Sequence, residues 1–178
     1  MIKGDLIEIL KKCRKYDSKA QKQLYESFYR FGLSICVRYV ADLEVAQELL
    51  NDSYLKVFTS IEKYNQDMIF VTWFKRIIVN TCIDYLRKSN RNLPTVDLEE
   101  ALDLGVEMDV FGKFSIEEMA QLIQQLPPTY RTVFNLYVIE GYEHKEIASL
   151  LGIEVKTSTS NLTRARKKLQ DLILANEF

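Results

Sequence analysis

The apolar residues of this chain recur at intervals of three and four and almost nowhere at two, and that spacing commits it to helices. A turn of 3.6 residues brings positions three and four apart onto one face, whereas a half-buried strand needs strict alternation. The expected fold is therefore all-α. A first helix runs from about Lys3 to Tyr16 on Leu6, Leu10 and Cys13. Ser18 and Gln21 have the spacing of a capping box, in which the hydroxyl accepts one free backbone N–H and the amide reaches back to another. They open a second helix that continues to about Val40 with Leu24, Phe28, Ile35 and Tyr39 inward. Asp42 can cap a third, striped by Val45, Leu49, Tyr54, Val57, Phe58 and Ile61. After a polar break at Lys63–Asp67, a run from about Thr72 carries Trp73, Ile77, Ile78, Thr81, Tyr85 and Leu86, and stops near Asn90 ahead of Pro94.

At 178 residues with 47% apolar content, the chain has material for one medium core or two small ones. Its net charge of −1 argues against a nucleic-acid partner until the charges are placed. Residues 1–92 hold 16 basic and 11 acidic side chains, 93–112 hold six acids and no base, and 113–178 balance at eight each. Within that last segment Arg164, Arg166, Lys167 and Lys168 crowd together. Two basic surfaces separated by an acidic tether are the expectation. The tether has scattered Leu and Val but too little apolar surface for a core, so the domain boundary belongs there. No apolar run approaches membrane-spanning length, and the amino terminus lacks a basic segment followed by an apolar one. A cytoplasmic location without membrane insertion is expected.

Cys13, Cys36 and Cys82 are odd in number and widely spaced, without a Cys-x-x-Cys pair, and His144 is the lone histidine. Zinc has no ligand set here, and small buried thiols are the reading, with a metal or disulfide role as the alternative. No Gly-rich phosphate loop, nucleophile elbow or metal spacing occurs. No catalytic residue, metal or other cofactor is expected, and the chain reads as a binding protein rather than an enzyme.

Past the tether, Ser115-Ile-Glu-Glu118 is a second capping box, and the helix it opens ends at Pro127-Pro128. Pro128 suits the first turn of the next helix, where its missing N–H costs nothing. That helix carries Tyr130, Val133, Phe134, Tyr137 and Val138 and ends at Gly141. From His144 to Arg166 the chain then meets the requirements of a helix-turn-helix. Ala148 is small where helices cross, Gly152 tolerates positive φ at the turn, and Ile147, Leu151, Ile153, Leu162 and Ala165 hold the second helix. If that helix starts near Val155, a different face presents Lys156, Thr159, Ser160, Asn161, Thr163, Arg164 and Lys167, which can donate to phosphates and base edges. A helical hairpin with a solvated basic face is the alternative.

Leu126-Pro-Pro-Thr-Tyr-Arg131, Val133-Phe134, Glu140-Gly-Tyr142, Lys145-Glu-Ile-Ala148, Leu151-Gly152 and Arg164-Ala-Arg166 together resemble the carboxy-terminal promoter-binding domain of extracytoplasmic-function (ECF) sigma factors. The amino half matches in order. The stretch from Val45 through Phe58 is similar to that family's polymerase-binding helix, and the stretch from Phe70 through Asn80 and on to Lys88 is similar to its strand-opening helix. The resemblance implies sigma region 2 over residues 1–92, an acidic flexible linker over 93–113, and sigma region 4 over 114–178. One departure stands out: the family commonly has Gly-Thr-Val at the start of the recognition helix, where this chain has Lys156-Thr157-Ser158. Thr159 also replaces a residue that is often basic.

By the same resemblance, Leu49, Leu50, Asp52, Ser53, Lys56 and Phe58 would face the polymerase, with Leu49 and Phe58 equally readable as core. Tyr64, Asn65, Lys75, Arg76, Asn80, Arg87 and Lys88 would bind the minus-ten element, Asn80 sitting where family members recognise an extruded base. Trp73 reads as core rather than as a stacking platform, and Arg87 and Lys88 could be only a solvated helix end. The partners implied are core RNA polymerase, through its beta-prime clamp and beta flap, promoter DNA and an anti-sigma factor, with the free chain a monomer. The tether would thread the polymerase's RNA exit path. Two rivals remain at this point: a dimeric helix-turn-helix regulator working without polymerase, and a helical adaptor binding protein alone.

Overall fold

The computed structural model describes residues 3–65, 67–89 and 116–176. Among these no strand occurs, and the chain divides into two compact units, Met1–Leu86 and Arg87–Phe178.

In the first unit α1 (Lys3–Cys13) buries Ile9, Leu10 and Cys13. It ends three residues before the expected Tyr16, because Tyr16 takes the left-handed conformation at φ 59°. Its N–H bonds the Cys13 carbonyl at 3.0 Å, and the Asp17 N–H reaches Lys12 at 3.3 Å, the two bonds of a Schellman stop. The cap of α2 (Ser18–Tyr39) also differs from expectation. The Asp17 carboxylate, not the Ser18 hydroxyl, accepts from Lys19 N and Ala20 N at 2.9 and 3.0 Å. A carboxylate satisfies the free donors and adds a negative charge where the helix dipole is positive. Asp42 caps α3 (Leu43–Ser60) as anticipated, accepting from Glu44 N at 2.8 Å and Val45 N at 3.3 Å. A 3₁₀ turn over Ile61–Lys63 follows, then a loop, then α4 (Phe70–Ser89), which begins two residues earlier than the periodicity indicated because Ile69 O accepts from Thr72 and Trp73.

The core of this unit is aromatic. The Phe74 ring, wholly buried, lies 6.2 Å from Phe28, 6.3 Å from Phe31, 5.0 Å from Tyr54 and 5.7 Å from Phe70, so one side chain of α4 joins α2 to α3. Gly32 permits the close approach: a Cβ there would run into Leu50 Cδ1 and lie 3.4 Å from both Phe74 and Ile78. Trp73 is half-buried, with ring contacts to Tyr64 at 4.9 Å and Phe70 at 5.9 Å, which is the core placement expected. Tyr85 sits at the exposed rim of α4. The three cysteines are free and buried. Burial pushes the Cys13 thiol up to about 11, and contact with Cys36 followed by burial raises Cys82 far beyond the range of a reactive thiolate.

The second unit is built on one long helix. Its elements are α5 (Ile116–Gln124), α6 (Pro128–Phe134), α7 (His144–Leu151) and α8 (Val155–Asn176), and the first three all pack against α8. Leu162, Ala165, Leu169 and Ile173 supply the buried stripe of α8, none more than 4% exposed. Pro128 stands in the first turn of α6, as its chemistry required. Arg131 is buried, and its Nη1 donates to the carbonyl and the side-chain oxygen of Gln124 at 3.0 and 2.7 Å, satisfying an acceptor left free at the end of α5. Desolvation lowers its pKa.

Beyond Phe134 the helix does not continue as α to Gly141. Residues Asn135–Ile139 form a π turn, closed by Glu140 N–H to Asn135 O at 2.9 Å. The extra residue in this wider turn shifts the helical register, so Tyr137 and Val138, expected inward, are exposed. Ser115, the exit at Arg91–Pro94 and the acidic tether lie outside the described residues.

Candidate nucleic-acid interface

The helix-turn-helix forms as the sequence required. Gly152 has φ +67° and its N–H bonds Ala148 O, with Ile153 N–H reaching the same carbonyl at 3.1 Å. This left-handed residue turns the chain within three positions, and α8 starts at Val155 as expected. The other end of α7 is held by Glu143 N–H donating to Glu146 Oε2 at 2.8 Å.

On α8 one face is buried and the opposite face carries the polar set. Lys156, Thr159 and Lys167 are exposed, and Ser160, Thr163 and Arg164 half-buried. Thr159 and Thr163 donate their hydroxyl protons to Val155 O and Thr159 O at 3.1 and 3.2 Å. This fixes their rotamers and leaves an oxygen acceptor and a methyl outward, so they offer thymine-methyl or donor-accepting contacts rather than phosphate donation. Lys156 and Lys167 supply the cationic ends of the ridge. Asn161, expected on this face, is 5% exposed and therefore leaves the set. Its register explains why: 158, 161, 162, 165 and 169 fall on the inward stripe.

The candidate minus-ten residues lie on the loop before α4 and along that helix. Arg76, Arg87 and Lys88 are exposed, and Lys75 and Asn80 half-buried. Thr72, Arg76, Asn80 and Arg87 recur at steps of four, four and seven residues, sharing one outer ridge. Tyr64, expected to touch DNA, is 6% exposed instead. Its hydroxyl donates to Met68 O, its carbonyl accepts from Arg14 Nη2 at 2.8 Å, and burial raises its phenol pKa. Asn65 is exposed, with Oδ1 accepting from Asp67 N at 3.0 Å. Tyr64 and Arg14 thus shape the loop, and Asn65 stands at its surface. The neighbouring Met68 and Ile69 are 44% and 71% exposed.

The candidate polymerase-facing set divides more sharply. Leu49, Leu50 and Ser53 are buried, with Ser53 Oγ donating to Leu49 O at 2.7 Å, so these three serve the core and leave the set. Phe58 is half-buried, stacked at 6.0 Å on Tyr54. Asp52 and Lys56 are exposed, Lys56 pairing with Asp84 of α4 at 3.4 Å, a surface pair of small energetic weight. Sequence reasoning missed Leu55, which is 63% exposed between them. The signal was present: Glu48, Asp52, Leu55, Lys56 and Thr59 share the outward face of α3, so the period of that helix alone turns Leu55 outward.

Among the described residues no cluster of metal-ligating side chains occurs, and no helix is long and apolar enough to cross a membrane.

Comparison with known proteins accounts for both units. Residues 24–92 match Sigma-70 region 2, and residues 116–169 match Sigma-70, region 4. Curated relatives include the RNA polymerase sigma-H factor of Pseudomonas aeruginosa, 28% identical over 93% of this chain and 94% of the relative. Another is the ECF RNA polymerase sigma-E factor of Haemophilus influenzae, 27% identical over 93% of each. The fold is similar to that of the sigma factor RpoE from Bartonella quintana, solved with the anti-sigma factor NepR, at 19% identity and TM-score 0.50 over 85% of this chain and 94% of that one. With region 2 and region 4 in that order, and relatives of this kind aligned along nearly its whole length, the chain belongs to the ECF sigma factors, through which RNA polymerase recognises promoters and initiates transcription.

Proposed function

We propose that this chain divides promoter recognition between its two units and that the division depends on the polymerase. Region 2, over residues 1–92, would bind the beta-prime clamp through the exposed face of α3, with Asp52, Leu55 and Lys56 at its centre and Phe58 at its edge. The loop at Asn65 and the ridge of Lys75, Arg76, Asn80, Arg87 and Lys88 would hold the minus-ten strand. Region 4, over 114–178, would lay the ridge of Lys156, Thr159, Ser160, Thr163, Arg164 and Lys167 in the major groove of the minus-thirty-five element and meet the beta flap. The acidic linker over 93–113 would follow the RNA exit path. Replacing its Asp97, Glu99, Glu100, Asp103, Glu107 and Asp109 by amides should then alter promoter escape or core affinity.

Strand opening needs no catalytic group. Unstacking a base costs a few kcal/mol, and stacking on aromatic side chains returns roughly 1–3 kcal/mol per base. Binding selects the open state, and in this reading the chain is not an enzyme, takes no cofactor and works in the cytoplasm. The solved neighbour bound to an anti-sigma factor supports a partner of that kind here, covering polymerase- and DNA-facing surfaces together.

The observation that carries the reading is the order of the two matched regions on two separate helical units, each with its own polar ridge. Each ridge alone is a weak DNA binder, and joining two modules raises effective concentration. Adding the protein to core polymerase and a promoter library should therefore produce new transcript starts, while the free protein should show little promoter affinity in a gel shift. Tight binding by the free chain as a dimer on a two-fold site, with no new starts, would favour an ordinary helix-turn-helix regulator.

A further inference from the structure

The start of the recognition helix is tied to the rest of region 4 by a polar link that no regularity of the sequence announces. Ser158, in the first turns of α8, is fully buried, and its Oγ shares a hydrogen bond of 2.9 Å with His144 Nδ1 at the first position of α7. A face of the imidazole packs on Tyr137, ring centroids 4.5 Å apart and planes 22° from parallel. Tyr137 belongs to the π turn, whose extra residue turns this ring away from the core. Three segments are thus chained in space: the π turn, the start of α7, and the start of α8. Ser158 also stands where the family commonly places an apolar residue, so the link occupies a site that packing alone would otherwise fill. Its sequence neighbours are Thr157 and Thr159, and Lys156 lies one residue further back, on the ridge assigned to DNA.

We propose that His144 is a positioning residue for reading the minus-thirty-five element: by holding Ser158 while leaning on Tyr137, it sets the seat of the first turns of α8 in the groove. The proposal rests on the reading of α8 as the minus-thirty-five helix. A buried hydroxyl left without its partner shifts an equilibrium by roughly tenfold. Without the link, the first turns of α8 repack to find another acceptor, and the contacts of Lys156 and Thr159 move with them.

The test uses reconstituted holoenzyme on a set of promoters carrying every single-base change in the minus-thirty-five element. A merely structural loss lowers activity on all of them by one factor and leaves the order of preference unchanged. Loss of positioning flattens the preferences themselves, by about tenfold between best and worst base. His144→Ala and Ser158→Ala should flatten the same positions, and the double variant should go no further than the worse single one. His144→Asn, which keeps a polar atom at the δ position, should restore the pattern. If wild-type holoenzyme depends on the upstream element and His144→Ala keeps the base preferences intact, the proposal is overturned while the reading of α8 stands. If wild type itself ignores that element, the reading falls and the proposal with it.

Discussion

Region 2 and region 4 of this chain are held in shape by different chemistry. The core of the first is a dense aromatic cluster in which Phe74 alone meets four other rings. In the second, short elements pack on one long helix, and polar links fix their ends: Arg131 of α6 to Gln124 of α5, His144 of α7 to Ser158 of α8, and Glu143 to Glu146 across the start of α7. An aromatic core supplies rigidity through area and shape, so loop residues such as Tyr64 can be preset on it. Polar links supply orientation at little area, which suits a small unit built of short elements on one helix.

The difference between the units predicts unequal sensitivity. Phe74→Ala should cost about 3–5 kcal/mol of region 2 stability, measured by denaturant melts, with the fluorescence of Trp73 as the probe. A loss under about 1 kcal/mol would show that the cluster is not the keystone of that unit. On the outer face of α3, Leu55→Glu should leave the melt unchanged and weaken association with core polymerase by about 2 kcal/mol, read by titration of labelled protein. Unaltered affinity would move the polymerase surface off α3.

Two left-handed turns extend the contrast. Gly152→Ala meets no neighbouring atom yet must adopt positive φ, so it should destabilise region 4 by about 1–2 kcal/mol. Tyr16→Gly in the matching conformation of region 2 should do the reverse, raising stability by up to about 1 kcal/mol, since Tyr16 is 73% exposed and loses little packing. Equal signs in the two melts would mean that side-chain contacts, not backbone conformation, govern these stops.

The smallest effect concerns pH. Burial, and secondarily the Arg166 charge, lowers the His144 pKa below its ordinary 6.5. The folded state then holds the proton less tightly than the unfolded one, so the contribution is full above 6.5 and is lost as pH falls toward the folded value. Region 4 should accordingly soften on mild acidification, and His144→Asn should reduce that slope. A variant whose acid profile overlays the wild type would show that this histidine does not set the acid response.

Much of the fold was legible because helices announce themselves locally. Asp42 at an N-cap, Pro128 in a first turn and Gly152 at positive φ each follow from the chemistry of one residue, and the structure places all three as expected. The family signature was legible for the same reason, being a matter of spacing along the chain. The site was legible only in outline. Leu49, Leu50, Ser53 and Tyr64 were assigned to surfaces by resemblance and Asn161 by the face of its helix, but their burial follows from register against neighbouring helices. Asn161 and Leu55 could have been sorted by extending the stripe of their own helices; Tyr64 could not, because Arg14 meets its carbonyl from fifty residues away.

Local chemistry settles the helical period, most of the helix stops and the order of the two regions, since each depends on residues within a turn or two of one another. Which face of each helix is spent on the core is settled between segments far apart in the chain. The burial of Ser158 beneath His144, the π turn at Asn135–Ile139 and the outward Leu55 all belong to that second group. A backbone conformation is set by local sterics and caps, whereas burial is set by what another helix leaves uncovered.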